Sequence, residues 1–169
     1  MGIDGWRLDV ADELPSGFLS DIKKSAAQEN SDALILGEVW EDASNKISYG
    51  RRRKYLLGEQ LDSVMNYPLR DAVISYVKEK NAEILGNLIC LQISHYPAPI
   101  LNNLMNFLGT HDTERILTVL AEKTSPGIQG SVLAKAKLTA PEYSLGKRRL
   151  ILSFAIPVSY THLTLPTIR

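Results

Sequence analysis

Short apolar segments that end in a polar residue alternate with helical patterns along most of this chain, and this alternation constrains the fold more than any other feature. Four segments are predicted strands: residues 2–10, 33–39, 60–67 and 104–109. Their polar ends Asp9, Glu38 and Asn66 follow one another at intervals of 29 and 28 residues, the length of one strand–helix unit. The next interval, to Asp112, is 46 residues and indicates a unit with an insertion. Strands that alternate with helices predict a parallel α/β sheet.

The segments between and after the predicted strands carry apolar residues at helical spacing. Helices are predicted over residues 15–27, 68–80, 81–94 and 148–156, and a further helix is predicted to begin near Thr113. Residues 33–39 form a continuous apolar run, which is typical of a strand buried on both faces of a parallel sheet.

An open doubly wound sheet and a closed barrel both fit this alternation, and the polar strand ends help to choose between them. Three different strands each deliver an acidic residue at the carboxyl end, which is where a β/α barrel builds its active site. An open sheet usually concentrates its chemistry at one switch point. A complete barrel needs eight units and about 250 residues, whereas these 169 residues hold four predicted strands. The sequence therefore predicts part of a (β/α)8, or TIM, barrel.

The charge balance argues against two classes of partner. Nineteen Lys and Arg residues stand against nineteen Asp and Glu residues, so no net field attracts nucleic acid or an anionic membrane. The short basic run at residues 51–54 is predicted to be a solvated stretch. No apolar run of about 18 residues predicts a membrane span, and the first residues lack a signal-peptide pattern. We therefore expect no nucleic-acid or membrane partner and a cytoplasmic location.

Two carboxyl groups at the first two strand ends are candidates for chemistry. Arg7 and Asp9 are two residues apart on a predicted strand, so their side chains share one face and can form an ion pair. The pair would suit a nucleophilic carboxylate held by a permanently charged guanidinium, and a purely structural pair at a barrel rim has about equal weight. Glu38 follows a glycine on an apolar strand, where partial burial suits proton donation, although a rim or capping role is also open.

A third carboxylate extends this pattern. Asp112 follows His111 in a short polar turn, where the alternative is a cap for the helix near Thr113. Retaining glycoside hydrolysis uses two carboxyl groups about 5 Å apart, one as nucleophile and one as acid and base. Neighbouring barrel strands can supply that separation, so the three carboxylates together favour glycoside hydrolysis.

Other kinds of site find no support in the sequence. There is no phosphate-binding glycine loop, no clustered His and Cys set and no Ser or Cys nucleophile with a base at a recognised spacing. Trp40 and Tyr67, near the same strand ends, could stack on sugar rings, although aromatic residues at such places are more often plain packing.

Three ordered motifs resemble one enzyme family. They read GWRLDVADE at residues 5–13, GEVW at residues 37–40 and FLGTHDTER at residues 107–115. These are similar to the second, third and fourth signature segments of glycoside hydrolase family 13, the α-amylase family, in the right order. The resemblance covers about residues 1–157 and implies strands four to seven of the catalytic barrel. VMNY at residues 64–67 and the third motif resemble the neopullulanase, cyclomaltodextrinase and maltogenic amylase branch.

The resemblance implies a role for each matching residue. Asp9 would be the nucleophile that forms a glycosyl-enzyme intermediate, and Glu38 the general acid and then the general base. Asp112 would grip the sugar hydroxyls and stabilise the transition state. The implied substrate-binding residues are Arg7, which orients the nucleophile, and His111, Trp40, Asn66 and Tyr67. The branch implies small α-glucans, such as maltooligosaccharides, cyclodextrins or pullulan, as substrates with α-1,4 or α-1,6 bonds.

The chain also departs from the family pattern. The first signature segment is absent, and the segment expected for strand eight does not follow residue 157. Residues 158–169 instead resemble translated sequencing-adapter sequence, so we predict a barrel portion over 1–157 and a non-native tail over 158–169. We expect the chain alone to be inactive. No cofactor is expected; calcium and a homodimer stay open for the complete protein, and no oxygen-rich loop here can be assigned to calcium.

Two alternatives to an enzyme stay open from the sequence. One is a noncatalytic carbohydrate-binding or scaffold protein with a degenerate amylase-like barrel. The other is an unrelated open α/β binding domain. The presence of Asp9, Glu38 and Asp112 favours the enzyme, because a binding-only protein has no chemical need for all three.

Overall fold

A computed structural model describes residues 2–121 and 138–163 of the chain, with side chains as far as residue 156. The strands, in chain order, are β1 (Gly5–Leu8), β2 (Leu34–Gly37), β3 (Ile47–Ser48), β4 (Arg51–Arg52) and β5 (Ser63–Val64). The helices are α1 (Ser16–Glu29), α2 (Tyr67–Glu79), α3 (Ala82–His95), α4 (Ala98–Asn103), α5 (Ile116–Leu120) and α6 (Ala140–Leu163), and a 3-10 turn over Ala11–Glu13 follows β1. The chain divides into two compact units, residues 1–68 with 90–106 and residues 69–89 with 107–169.

The first unit is built on a parallel sheet with the strand order β1-β2-β5. Gly5 pairs with Leu34 and Leu8 with Gly37, so β1 and β2 end at the same level. The predicted fourth strand is reduced to one parallel bridge between Met65 and Met105. The parallel α/β sheet predicted from the sequence is confirmed. Its last two strands are shorter than expected, and the third ends early because α2 begins at Tyr67.

The core of the first unit fills one face of the sheet. Ile35 is fully buried, as is Leu19 of α1, whereas Leu34 is exposed. The prediction that residues 33–39 are buried on both faces is therefore wrong in the described structure. Alternate side chains of a strand point to opposite faces, and the face that carries Leu34 is only partly covered.

A half-buried carboxylate ties α1 to the sheet. Asp62, just before β5, accepts a hydrogen bond from the backbone N–H of Ile35 at 2.8 Å and from Lys23 Nζ of α1 at 2.6 Å. The N–H of Asp62 donates in turn to the carbonyl of Ile35 at 2.8 Å. This charge-assisted set fixes the register of β5 against β2.

The helices α1, α2 and α3 confirm three of the predicted helices within one or two residues at each end. The sequence pattern did not predict α4 or the β3–β4 hairpin, because six-residue helices and two-residue strands are too short to show a period. The basic run at residues 51–54 lies in and after this hairpin. Arg51 and Arg52 are exposed as expected, but Arg53 is buried, so the prediction of a fully solvated run is wrong at that residue.

In the second unit α5 packs on α6. A Cβ atom at Gly146 of α6 would lie 3.0 Å from the carbonyl oxygen of Leu117, so the glycine permits this close helix approach. Arg149 of α6 donates to the carbonyl oxygen of Leu120 at 2.9 Å. The predicted helix over 148–156 lies within α6, which begins earlier and continues to Leu163.

Two sequence predictions concern the ends of this unit. The helix expected near Thr113 begins at Ile116, and its N-cap residue is Arg115, so Asp112 does not cap it. The predicted boundary before the tail falls inside α6, and residues 164–169 lie outside the described residues. The non-native origin of residues 158–169 stays a prediction.

Candidate active site

The ends of β1 and β2 bring the first two candidate carboxylates to one guanidinium. Arg7 Nη1 donates to Asp9 Oδ1, and Arg7 Nη2 lies 3.0 Å from Glu38 Oε2. The contact follows from the register, because Leu8 pairs with Gly37 and the residues that follow each strand lie side by side. A single planar cation therefore bridges the two carboxyl groups.

Asp9 and Glu38 differ sharply in exposure. The side chain of Asp9 is 68% exposed and that of Glu38 only 3%. Beside Arg7, Glu38 accepts a hydrogen bond from the backbone N–H of Val10 at 2.9 Å and from the Tyr67 hydroxyl at 3.1 Å. The buried carboxyl group is thus held by three donors, while the carboxylate of Asp9 faces open space.

Val10, the residue after Asp9, has an unusual backbone conformation. Its φ and ψ are 44° and 53°, in the left-handed region that β-branched residues avoid. The 3-10 turn begins at this point, and the N–H of Glu13 donates to the carbonyl of Val10 at 2.9 Å. The conformation aims the Val10 N–H at Glu38. Sequence reasoning missed this group, since nothing in a valine signals a left-handed turn.

Aromatic side chains flank the buried carboxylate. The rings of Trp40 and Tyr67 are stacked, with centroids 4.1 Å apart and planes inclined by 14°. Tyr67 is buried, whereas Trp40 is 48% exposed. The pair therefore presents one open indole face beside the Tyr67–Glu38 hydrogen bond, and an open aromatic face can stack on a sugar ring.

Asn66 lies beneath this surface. It is 2% exposed. Its Nδ2 donates to Asn106 Oδ1 at 2.9 Å, and Gln92 Nε2 donates to Asn66 Oδ1 at 2.7 Å. The amide network joins the end of β5 to α3 and to the segment after the Met65–Met105 bridge. Asn66 is therefore placed to position its neighbour Tyr67 rather than to reach an open surface.

His111 and Asp112 belong to the second unit and are described within it. His111 Nε2 lies 3.0 Å from Asp112 Oδ2, and both side chains are exposed. They occupy a turn closed by Thr113 Oγ1, which accepts from the N–H of Thr110 at 2.8 Å. The two side chains are thus presented together at the surface of their unit.

No metal cluster or membrane span is found in the described part of the chain. Residues 2–121 and 138–163 contain no group of three or more His, Cys, Asp or Glu side chains placed to hold a metal ion. Among the same residues no helix combines the length and the apolar character that crossing a bilayer requires.

Comparison with known proteins gives concordant matches. The family described as "Alpha amylase, catalytic domain" matches residues 1–141. Neopullulanase 2 of Thermoactinomyces vulgaris is 42% identical over 119 residues, which are 69% of this chain and 19% of that protein. A cyclomaltodextrinase of a Bacillus species is 40% identical over 119 residues, 69% of this chain and 20% of that protein.

A solved structure of a cyclomaltodextrinase also resembles this chain. It is 39% identical and has a TM-score of 0.61, with 69% of this chain and 19% of that chain covered. The present chain thus spans about a fifth of the length of each of these three relatives.

Proposed function

The chain belongs to the family of α-amylase catalytic domains, and from this premise we propose that the complete protein is a retaining α-glucan hydrolase or transglycosylase. The family match confirms the resemblance inferred from the three sequence motifs and the predicted partial (β/α)8 barrel. The observation that carries the proposal is the Arg7 guanidinium shared by Asp9 and Glu38. Two carboxyl groups held side by side on one guanidinium support the pairing of a nucleophile with an acid and base that retaining enzymes use.

In the first step Asp9 acts as nucleophile. Its exposed carboxylate attacks the anomeric carbon, while Glu38 gives its proton to the leaving glycosidic oxygen and the carbon–oxygen bond breaks. The sugar is then joined to Asp9 as an ester, and the shortened glucan leaves. Arg7 holds the attacking carboxylate in position and balances its charge.

In the second step Glu38, now ionised, acts as base. It takes a proton from water, or from a hydroxyl of an acceptor sugar, and the resulting oxygen nucleophile displaces Asp9 from the anomeric carbon. The acceptor decides between hydrolysis and transfer. Arg7, the Val10 N–H and the Tyr67 hydroxyl hold Glu38 in the same place through both steps.

The proposed substrates are small α-glucans with α-1,4 and, in the wider case, α-1,6 bonds. The names of the relatives, a neopullulanase and cyclomaltodextrinases, support this class. The open face of Trp40 would stack on a glucose ring. In their own unit, Asp112 and His111 would hold sugar hydroxyls. These roles for Asp112 and His111 rest on the family motif that they share.

The test is turnover of a cyclodextrin, a maltooligosaccharide and pullulan by the complete protein that carries this chain. We expect Glu38→Gln to lower kcat by at least about 10²-fold, the lower range for a general acid or base. Glu59→Gln, at an exposed position outside the site, is the matched control and should keep wild-type turnover. Saturable sugar binding without any product would contradict the proposal and favour a noncatalytic amylase-like binding protein.

Two further statements stay predictions, and a homodimer of the complete protein stays open. We propose that the complete protein works in the cytoplasm, and that this chain alone is inactive because it spans only about a fifth of the length of these relatives. Assay of the isolated chain beside the complete protein tests the last statement, since any cyclodextrin turnover by the chain that Glu38→Gln abolishes would contradict it.

A further inference from the structure

The segment that follows β2 carries one buried arginine against the turn after Asp9. Arg53, directly after β4, is 8% exposed. Its Nη2 donates to the carbonyl oxygen of Leu14 at 2.5 Å and to that of Ala11 at 3.3 Å. Its guanidinium lies over the ring of Tyr55, 4.8 Å from the centroid. One charged side chain therefore holds both ends of the 3-10 turn.

The same segment also holds the carboxylate of this turn. Lys46 Nζ and the Tyr55 hydroxyl each donate to Asp12, and the N–H of Arg53 donates to the carbonyl of Lys46 at 2.8 Å. Burial alone would lower the pKa of Lys46, but the hydrogen bonds and charges of Asp12 and Glu41 raise it above its usual value. Lys46 is therefore a cation throughout the physiological range. We call Lys46, Arg53 and Tyr55 the clamp.

The clamp acts on the residues next to Glu38. The turn that it holds begins at Val10, whose N–H donates to Glu38 Oε2, and the N–H of Ala11 donates to the Glu38 carbonyl at 3.0 Å. A left-handed β-branched residue is strained and persists only where its surroundings determine it. Arg53 supplies that constraint through the carbonyls of Ala11 and Leu14.

We propose that Arg53 is a positioning residue for the acid and base of the reaction: by fixing the turn over residues 11–13 it holds the Val10 N–H against Glu38. The inference rests on the proposed function. Arg53 makes no contact with Glu38 and acts only through the turn. Its planar fork reaches two carbonyls at once, which a lysine ammonium cannot reproduce with the same geometry.

The test compares two substrates in the complete protein. Cleavage of a cyclodextrin requires protonation of the leaving oxygen. In α-glucosyl fluoride the leaving group is fluoride, which departs with little help from an acid. For both, kcat/KM reports the steps up to the glycosyl-enzyme. We expect Arg53→Met to lower kcat/KM for the cyclodextrin by about 10–100-fold, which is part of the 10²–10⁴-fold that a general acid supplies. For α-glucosyl fluoride, we expect kcat/KM to fall by less than about threefold.

Two further variants complete the design. Arg52→Met removes the exposed neighbouring arginine and should leave both values unchanged. Arg53→Lys keeps the charge without the fork and should fall between wild type and Arg53→Met. The ratio of the two kcat/KM values does not depend on the amount of folded enzyme, so a destabilised variant is still informative, and Arg53→Lys serves if Arg53→Met does not fold.

The possible outcomes separate the two proposals. An equal loss on both substrates means that Arg53 only maintains the fold. No loss on either substrate means that Arg53 is not needed to place Glu38. Each of these results overturns the positioning role. A wild-type protein that turns over neither substrate contradicts the proposed function instead.

Discussion

The backbone N–H of Val10 donates to Glu38 Oε2 at 2.9 Å from a left-handed conformation, φ 44°. Val10 directly follows Asp9, the first candidate catalytic carboxylate, and its N–H therefore helps to hold the second, Glu38. The geometry links the two carboxyl groups twice, through this amide and through the guanidinium of Arg7. The strain at Val10 is thus tied to the placement of Glu38.

Relief of this strain should be measurable. Val10→Gly keeps the N–H and removes the steric cost of the left-handed conformation, and little burial is lost because Val10 is exposed. We expect the free energy of unfolding to stay within about 1 kcal/mol of wild type, because relief of about 1–3 kcal/mol of strain offsets the larger unfolded-state entropy of glycine, with kcat retained. Urea unfolding of the two proteins measures this, and a loss above about 1 kcal/mol would show that Val10 is not strained.

Trp40 should contribute to binding rather than to bond cleavage. Removal of its open face in Trp40→Ala should raise KM for a maltooligosaccharide about 3- to 10-fold, the equivalent of about 1 kcal/mol of stacking, with kcat changed less than KM. Trp40→Phe keeps an aromatic face and should lie closer to wild type. Steady-state kinetics of both variants give the KM and kcat values that test this prediction. An unchanged KM in Trp40→Ala would exclude a sugar-stacking role.

Acid stability should depend on Asp42, which lies in the loop after β2. Burial opposes its ionisation, but hydrogen bonds from Ser44 and His95 outweigh it and lower the Asp42 pKa below its usual 3.8. A lowered pKa in the folded state adds stability above the ordinary pKa, and that stability is lost as the pH falls through the lowered value.

Asp42→Asn should therefore lower the free energy of unfolding at pH 5–7 by about 1 kcal/mol, the usual contribution of such hydrogen bonds. The difference from wild type should shrink as the pH falls below about 4. Asp21→Asn, an exposed residue of α1, is the control. Urea titrations at several pH values provide the measurement, and a difference that grows toward acid pH would reverse the sign and contradict the account.

The edge of the sheet should not tolerate a side chain at Gly5. A Cβ atom there would lie 2.3 Å from the carbonyl oxygen of Leu34, a backbone atom of the paired strand that cannot move aside cheaply. Gly5→Ala should cost about 1–3 kcal/mol of stability. Gly17→Ala in α1 meets nothing within 4 Å and should be neutral or stabilising by up to about 1 kcal/mol. Equal unfolding midpoints for both variants would argue against the β1–β2 register.

Strand alternation was sufficient to predict β1, β2 and the shared face of Arg7 and Asp9, and helical spacing of apolar residues was sufficient to predict α1. Local sequence carries this information because alternation places residues two apart on one side of a strand. The closeness of the strand ends that carry Asp9 and Glu38 was also expected, because parallel strands end at the same edge, whereas the contact between Arg7 and Glu38 was not predicted.

Other features of the site depend on contacts that local sequence does not encode. The left-handed conformation of Val10 opposes the intrinsic preference of valine. From composition, the basic run that contains Arg53 is predicted to be solvated. Arg53 is buried instead, because it packs against the turn over residues 11–13. Asn66 is buried because Gln92 and Asn106, distant in sequence, pair with its amide.

The most direct measurement for the central claim is peptide mass spectrometry of the Glu38→Gln variant of the complete protein after incubation with α-glucosyl fluoride. Fluoride leaves without an acid, and without Glu38 as base the glycosyl-enzyme should accumulate. The account predicts one glucosyl group on the peptide that contains Asp9, absent in the Asp9→Asn, Glu38→Gln double variant. A glucosyl group on another residue, or fluoride release without any adduct, would contradict Asp9 as nucleophile.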